Sequence, residues 1–273
     1  MATRQRRTPY ILNCLPSPKP EKNWTLETAE AAGITPARRS RAGAAAAAGG
    51  NVDLREAWWK VGDQGNTGSC VGWGAADAVL RWHFVKAGRL AKTERLSVRY
   101  LWMAAKETDV YTTRPTSFIE SDGTWLTAAL GLAQKYGVVT DKVLPFKLGG
   151  QSQMYTGTAN AFYAIASQRR ISSYFNLGRN LAAWRDWLAT KGPILTRLDV
   201  DEAFMQATAK KGKLDSFTAN SGMGGHCVAL VGYVNGRFIV RNSWGTGWGD
   251  KGFAYAADTY AQPAFTEAYG VVV

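Results

Sequence analysis

The chain has 273 residues and a formal net charge of +12, with 33 Lys and Arg against 21 Asp and Glu, three cysteines and two histidines. It is long enough for one large domain or two small ones with a substantial core; no apolar run reaches the roughly 18 residues a spanning helix needs, and none follows the basic start as a signal-peptide core would, although a specialised export route leaves no such mark. Cysteines at 14, 70 and 227 give neither a disulfide framework nor a CxxC metal site, so no metal or cofactor is expected and the cytoplasm or another reducing compartment is the simpler setting.

In chain order, residues 1–50 read as an N-terminal extension. LPSPKP is held extended by its prolines, TLETAEAAG is a short helix with Thr25 as its N-cap, and ARRSRAGAAAAAGG is a low-complexity linker. The globular unit spans 51–273, its ordered part opening near Val52. From Cys70 the apolar positions Val71, Ala75, Ala78, Val79 and Trp82 follow helical spacing as far as Gly88, which leaves Cys70 at the amino end of a buried helix. LSVRYLWMAAKE with Ser97 as cap, TWLTAALGLAQKYG and LAAWRDWLATKG predict three further helices. Beyond Pro193 the texture changes to strands: PILTRLDV, HCVALVGYV, GRFIVRNSW and GFAYAAD, the middle two joined at Asn235-Gly236, a two-residue hairpin signal. A helical part over about 51–145 followed by a β-rich part over about 146–273 argues an α+β fold of two lobes, with a cleft between them for a site.

The short stretch QGNTGSC sets Cys70 behind a glycine and a small serine. A thiol with an ordinary pKa near 8.5 is only about 3% thiolate at pH 7. Activation therefore needs the helix amino terminus and a histidine. His83 lies thirteen residues along the same helix, roughly 20 Å away, which leaves His226, preceded by the flexible SGMGG. The hairpin brings Asn242 back to the same end of the ladder as His226, where its amide carbonyl can orient the imidazole. Gln64 supplies a side-chain N–H and Cys70 a backbone N–H for the oxyanion of a tetrahedral intermediate. Gly68 and Ser69 leave room there for a substrate carbonyl, and Gly225 allows close backbone approach.

QGNTGSC, GGHCVALVGY and FIVRNSWGTGWGDKGF closely resemble the papain-like (C1) cysteine peptidases. VDLREAWWKVGDQG, DGTWLTAALGLAQKYGVVTDKVLPF and GPILTRLDV extend the likeness in order over about residues 50–273. The resemblance implies the papain-like two-lobe fold, with a helical left lobe, an antiparallel β-barrel-like right lobe and the active site in the cleft between them. It implies a peptidase acting on peptides or proteins through a thioester, with Gln64 as oxyanion donor, Cys70 as nucleophile, His226 as acid and base and Asn242 as its orienter. Trp244 would shield the His226–Asn242 bond, Gly123 and Thr124 would pair with the substrate backbone, and Cys227 would line the main specificity pocket. Thr67 stands where many members carry a disulfide cysteine, Val71 replaces an aromatic, and Thr124 replaces a second glycine.

The acidic residues Asp77, Asp199 and Asp250 have no partner at catalytic spacing and read as caps, turns or solvated charges. His83 reads as an ordinary helix residue. Cys14 has two readings: a thiol in a tail, or part of a segment over about 8–40 that lies along the cleft and holds the enzyme inactive, in the manner of a zymogen. Basic residues are scattered as RQRR, ARRSR, SQRR and AKKGK without a recognition helix or RNP string, so nucleic acid is not the expected partner. Two other classes fit the same residues: acyl transfer or deamidation on the triad, and a catalytically idle binding module.

Overall fold

The runs after Pro193 form most of a sheet, and the helices over 70–135 pack on one face of it. The computed structural model describes residues 10–33, 50–107, 120–147 and 155–273. The expected linker falls almost wholly within 34–49, outside the described residues.

The described strands are β1 (Val52–Asp53), β2 (Ser173–Asn176), β3 (Ile194–Asp199), β4 (Lys213–Leu214), β5 (Gly225–Val234), β6 (Arg237–Arg241), β7 (Phe253–Ala256) and β8 (Phe265–Val272). Their order is β2-β8-β3-β5-β6-β7-β4, with β1 added to β5. All pairs are antiparallel except β4 with β7. The β-rich part is thus an open path rather than a closed barrel, because β2 and β4 at its ends do not meet. Between β5 and β6, Asn235 (φ 49°) and Gly236 (φ 74°) adopt the left-handed pair that a two-residue turn requires. Alternation along central β5 sends Cys227, Ala229 and Val231 to one hydrophobic cluster and Val228 and Leu230 to another, which Tyr233 joins because the register shifts between Leu230 and Tyr233.

The first cluster is shared with the helices. Helix α2 covers 70–86, as an α-helical turn Cys70–Gly72, a π-helical stretch Trp73–Leu80 and a final α-helical part Arg81–Lys86. Every residue from Cys70 to Arg81 is buried, so the helix is enclosed all round rather than along one stripe. Helices α3 (Val98–Glu107) and α4 (Leu126–Lys135) pack beside it, and Ser97 caps α3 as expected by accepting the Tyr100 N–H at 3.0 Å. The second cluster lies under α6 (Leu181–Thr190), α7 (Glu202–Met205) and α8 (Asp258–Ala264). Additions to the sequence reading include β2, α5 (Ala159–Ser167), α7, α8, which carries Pro263 inside it, and β8, whose pairing with β3 closes one flank of the core.

Asp77 corrects an expectation. It is fully buried on α2 and pairs with Arg241 at 2.8 Å and Arg81 at 3.4 Å. Arg241 closes β6, so this buried ion pair fastens the helix to the strand that leads into Asn242. The two partners lie 164 residues apart and no local pattern links them. Asp199 and Asp250 behave as read, the first in a half-exposed pair with Arg197 and the second accepting from the Tyr255 hydroxyl.

At the amino end, Thr25 caps α1 (Leu26–Ala31) through a reciprocal capping box with Thr28. Residues 10–17 lie across the junction of α2 and β5, with Asn13 bridging to Gly225.

Candidate active site

Cys70 opens α2, where its N–H has no intrahelical acceptor. His226 is the second residue of β5 and Asn242 follows the last residue of β6. Cys70 and His226 are both 0% exposed. The His226 Nε2 and Asn242 Oδ1 atoms are 2.7 Å apart, and the Ser243 N–H donates to the same Oδ1 at 2.8 Å. An atom that accepts from a backbone N–H is an acceptor, so Nε2 must carry the proton of this bond. The other ring nitrogen, Nδ1, is buried and makes no hydrogen bond. It is left open as a proton acceptor, and His226 favours ionisation of the Cys70 thiol.

Trp244 lies over this pair, its ring 4.7 Å from the imidazole centroid, and Phe204 meets the imidazole edge at 5.9 Å. Both exclude water from the His226–Asn242 bond. Gln64 is buried on the other side. Its Nε2 donates to the Thr67 carbonyl at 2.9 Å and its Oε1 accepts from the Ser243 hydroxyl at 2.8 Å. One of its two N–H bonds is thereby used and the second remains for a ligand oxygen. The Thr67 hydroxyl bonds to the Gln64 carbonyl and to the Ser69 hydroxyl, which tightens the turn leading into α2.

A sequence model of the family described as "Papain family cysteine protease" matches residues 49–268. The chain belongs to this family. Among curated relatives, cysteine proteinase 2 of Entamoeba histolytica is 29% identical over 203 residues, 71% of this chain and 58% of that protein. Cathepsin B-like CP2 of Giardia intestinalis is 30% identical over 141 residues, 48% of this chain and 45% of that protein. The chain spans about half the length of these relatives. Among solved structures, xylellain from Xylella fastidiosa superposes with a TM-score of 0.77 at 19% identity over 98% of each chain. Procathepsin L2 of Tenebrio molitor larval midgut superposes at 0.67 and 21% identity, over 97% of this chain and 79% of that one. At these identities the two structures speak for the papain-like fold.

In this papain-family chain the cleft is occupied. The Cys14 N–H donates to the Gly225 carbonyl at 3.0 Å, the Leu15 N–H to the Thr124 carbonyl at 3.1 Å, and Arg197 Nε to the Cys14 carbonyl at 3.0 Å. The Asn13 carbonyl sits where a side chain on residue 123 would be, so only glycine admits it there. Tyr10 stacks on Trp244 with centroids 4.0 Å apart and planes 2° from parallel. Gly123, Thr124, Gly225, Cys227 and Trp244 therefore all face the segment in the cleft. Gly68 and Ser69 do not: Gly68 packs against the backbone of Ser121 and Asp122, and the Ser69 hydroxyl is taken by Thr67. Their part is to shape the turn into α2.

Contact with Cys14, followed by burial, pushes the Cys70 thiol well above its usual range, against the opposing pull of His226. Burial does the same to Cys14 and Cys227. All three are free thiols. Under the segment Cys70 is held as the neutral thiol.

The sequence reading missed Ser243, which ties Gln64 to Asn242, and Arg197 and Tyr10, which hold the segment. Ser243 had a usable signal in its place next to Asn242. Arg197 and Tyr10 had none, because their partners are distant in the chain. His83 is buried rather than half exposed, and its Nε2 has no hydrogen-bond partner.

Proposed function

We propose that the chain is a cysteine peptidase that hydrolyses peptide bonds through a thioester on Cys70, and that its own residues 10–17 restrain it in the manner of a zymogen. The observation that carries this reading is the pair of hydrogen bonds that Asn242 Oδ1 accepts, from His226 Nε2 and the Ser243 N–H. It leaves His226 Nδ1 as the acceptor for the Cys70 proton.

The steps follow from that geometry. The thiol proton passes to His226 Nδ1 and the thiolate attacks the carbonyl carbon of the substrate. The Cys70 N–H and the second N–H of Gln64 stabilise the oxyanion. His226 returns the proton to the leaving amine, then takes one from the water that hydrolyses the thioester. Asn242 keeps the imidazole upright without adding a second charge, and Trp244 keeps water from its bond. On this reading residues 1–50 are the restraining extension and 51–273 the peptidase unit, with lobes at about 51–145 and 146–273. Thr124 and Gly225 would give a substrate backbone the carbonyls that now accept from Leu15 and Cys14. Cys227 would line the neighbouring pocket. Three unpaired thiols suit a compartment that keeps thiols reduced. No helix among the described residues is long and apolar enough to cross a membrane.

The test is labelling by an epoxysuccinyl thiol-protease inhibitor, read by intact mass, with hydrolysis of a fluorogenic peptide library measured in parallel. One label, absent from Cys70→Ala, together with hydrolysis is the expected result. Labelling with transfer to an added amine and no hydrolysis would make the chain an acyl transferase. Neither label nor turnover, even after residues 1–49 are removed, would leave a binding module.

A further inference from the structure

All three cysteines of the chain converge at the site, although they lie 56 and 157 positions apart in sequence. Cys14 is 1% exposed and packs in one buried cluster with Cys70 and Cys227, both of which act on its thiol. The backbone alone seats residue 14, through Gly225 and Arg197. Any small side chain would meet those bonds, so the seating does not require a thiol. What the thiol adds is a second sulfur against the nucleophile.

The geometry points to a modification site: Cys14 and Cys70 form a reversible disulfide under peroxide, which locks the cleft segment in place and silences the nucleophile. This rests on the reading of Cys70 as nucleophile. Of the two neighbours, Cys70 is the one that reacts first, because it has the His226 Nδ1 acceptor and the start of a helix beside it, both of which favour thiolate. At Cys227, burial above all, then the charges of Cys70 and Glu267, opposes ionisation.

The chemistry balances with hydrogen peroxide as oxidant. The Cys70 thiolate attacks one peroxide oxygen, the O–O bond breaks, and Cys70 sulfenic acid and hydroxide result. The Cys14 sulfur then attacks the Cys70 sulfur, the S–O bond breaks and water leaves with the Cys14 proton. Two thiols are oxidised, one peroxide is reduced and two waters form. A dithiol reverses the step by exchange and is itself oxidised to a disulfide. Without Cys14 the sulfenic acid meets more peroxide and passes to sulfinic acid, which a dithiol does not restore. Both sulfurs are buried where the segment meets the cleft, so oxidation proceeds through its transient openings.

The experiment uses the full chain, reduced, exposed to a few equivalents of hydrogen peroxide, then denatured and alkylated for mass mapping. The expected product is about 2 Da lighter before alkylation, yields a linked peptide pair containing residues 14 and 70, and has lost epoxysuccinyl labelling. Dithiothreitol should restore at least about nine-tenths of that labelling in the native chain and less than about one-tenth in Cys14→Ser and Cys14→Ala, where Cys70 gains about 32 Da. A Cys14–Cys227 link, no link at all, or equal recovery in the variants overturns the proposal. The link is read by mass alone, so a chain that links but cleaves no peptide would refute the peptidase reading and keep the cross-link.

Discussion

The walls of the cleft and the segment lying in it are built by different means. Each wall belongs to the core: α2 is enclosed on all sides, β5 is central in the sheet, and the Asp77–Arg241 pair joins the one to the other. The segment over 10–17 adds one isolated bridge, a few backbone bonds, bonds that involve a side chain with Arg197, Ser121, Glu267 and Thr127, one aromatic stack and the buried Cys14. The difference teaches that the walls are held by contacts that do not involve the segment, so the proposed cover can leave without dismantling them.

The first way to break this comparison is at the wall. Cys70→Ala should reduce peptide hydrolysis by more than about 10³-fold whether or not the segment is present. Equal rates in the variant and the parent would remove Cys70 from the chemistry. Next is the joint between walls. Asp77→Ala strands two buried guanidinium groups and should cost about 3 to 5 kcal/mol of stability, measured by urea denaturation. Within the site, Gln64→Ala should lower kcat by about 10² to 10³ with little change in KM, since it removes one oxyanion donor.

Acid offers a subtler test, because loss of the cover and loss of the fold must be kept apart. Burial lowers the pKa of His83 from 6.5 to about 4. Between those values the unfolded chain binds the proton and the folded one does not, so stability falls as pH drops through this window, by about 3 kcal/mol at most. His83→Phe should flatten that slope and leave labelling of Cys70 at pH 7 unchanged. The smallest expected effect is at the cover. Tyr10→Ala removes one stack on Trp244, about 1 kcal/mol, and should speed labelling several-fold. No change would mean that the stack does not hold the segment.

The walls were legible in the sequence because their signals are local. Helical spacing after Cys70, the Asn235-Gly236 turn and the two-residue period of β5 fix where Cys70, His226 and Asn242 go. With only two histidines in the chain, elimination did the rest. The cover was legible only as a possibility, since Cys14, Tyr10 and Asn13 find their partners more than fifty residues away and carry no periodicity. For the same reason Arg197 passed unnoticed and Asp77 was taken for a solvated charge. Gly68 and Ser69 were placed at the substrate when they in fact support the turn beneath it, because sequence spacing shows proximity to Cys70 and not the direction each residue faces.

The central claim is that residues 10–17 cover a finished site. Its most direct test is the rate of epoxysuccinyl labelling of Cys70 in the full chain and in a chain beginning at Gly50, both with dithiothreitol present and both checked for the same circular dichroism. The account predicts labelling at least about tenfold faster in the shorter chain, equivalent to the loss of about 1.4 kcal/mol of cover. Equal rates in two folded proteins would contradict it.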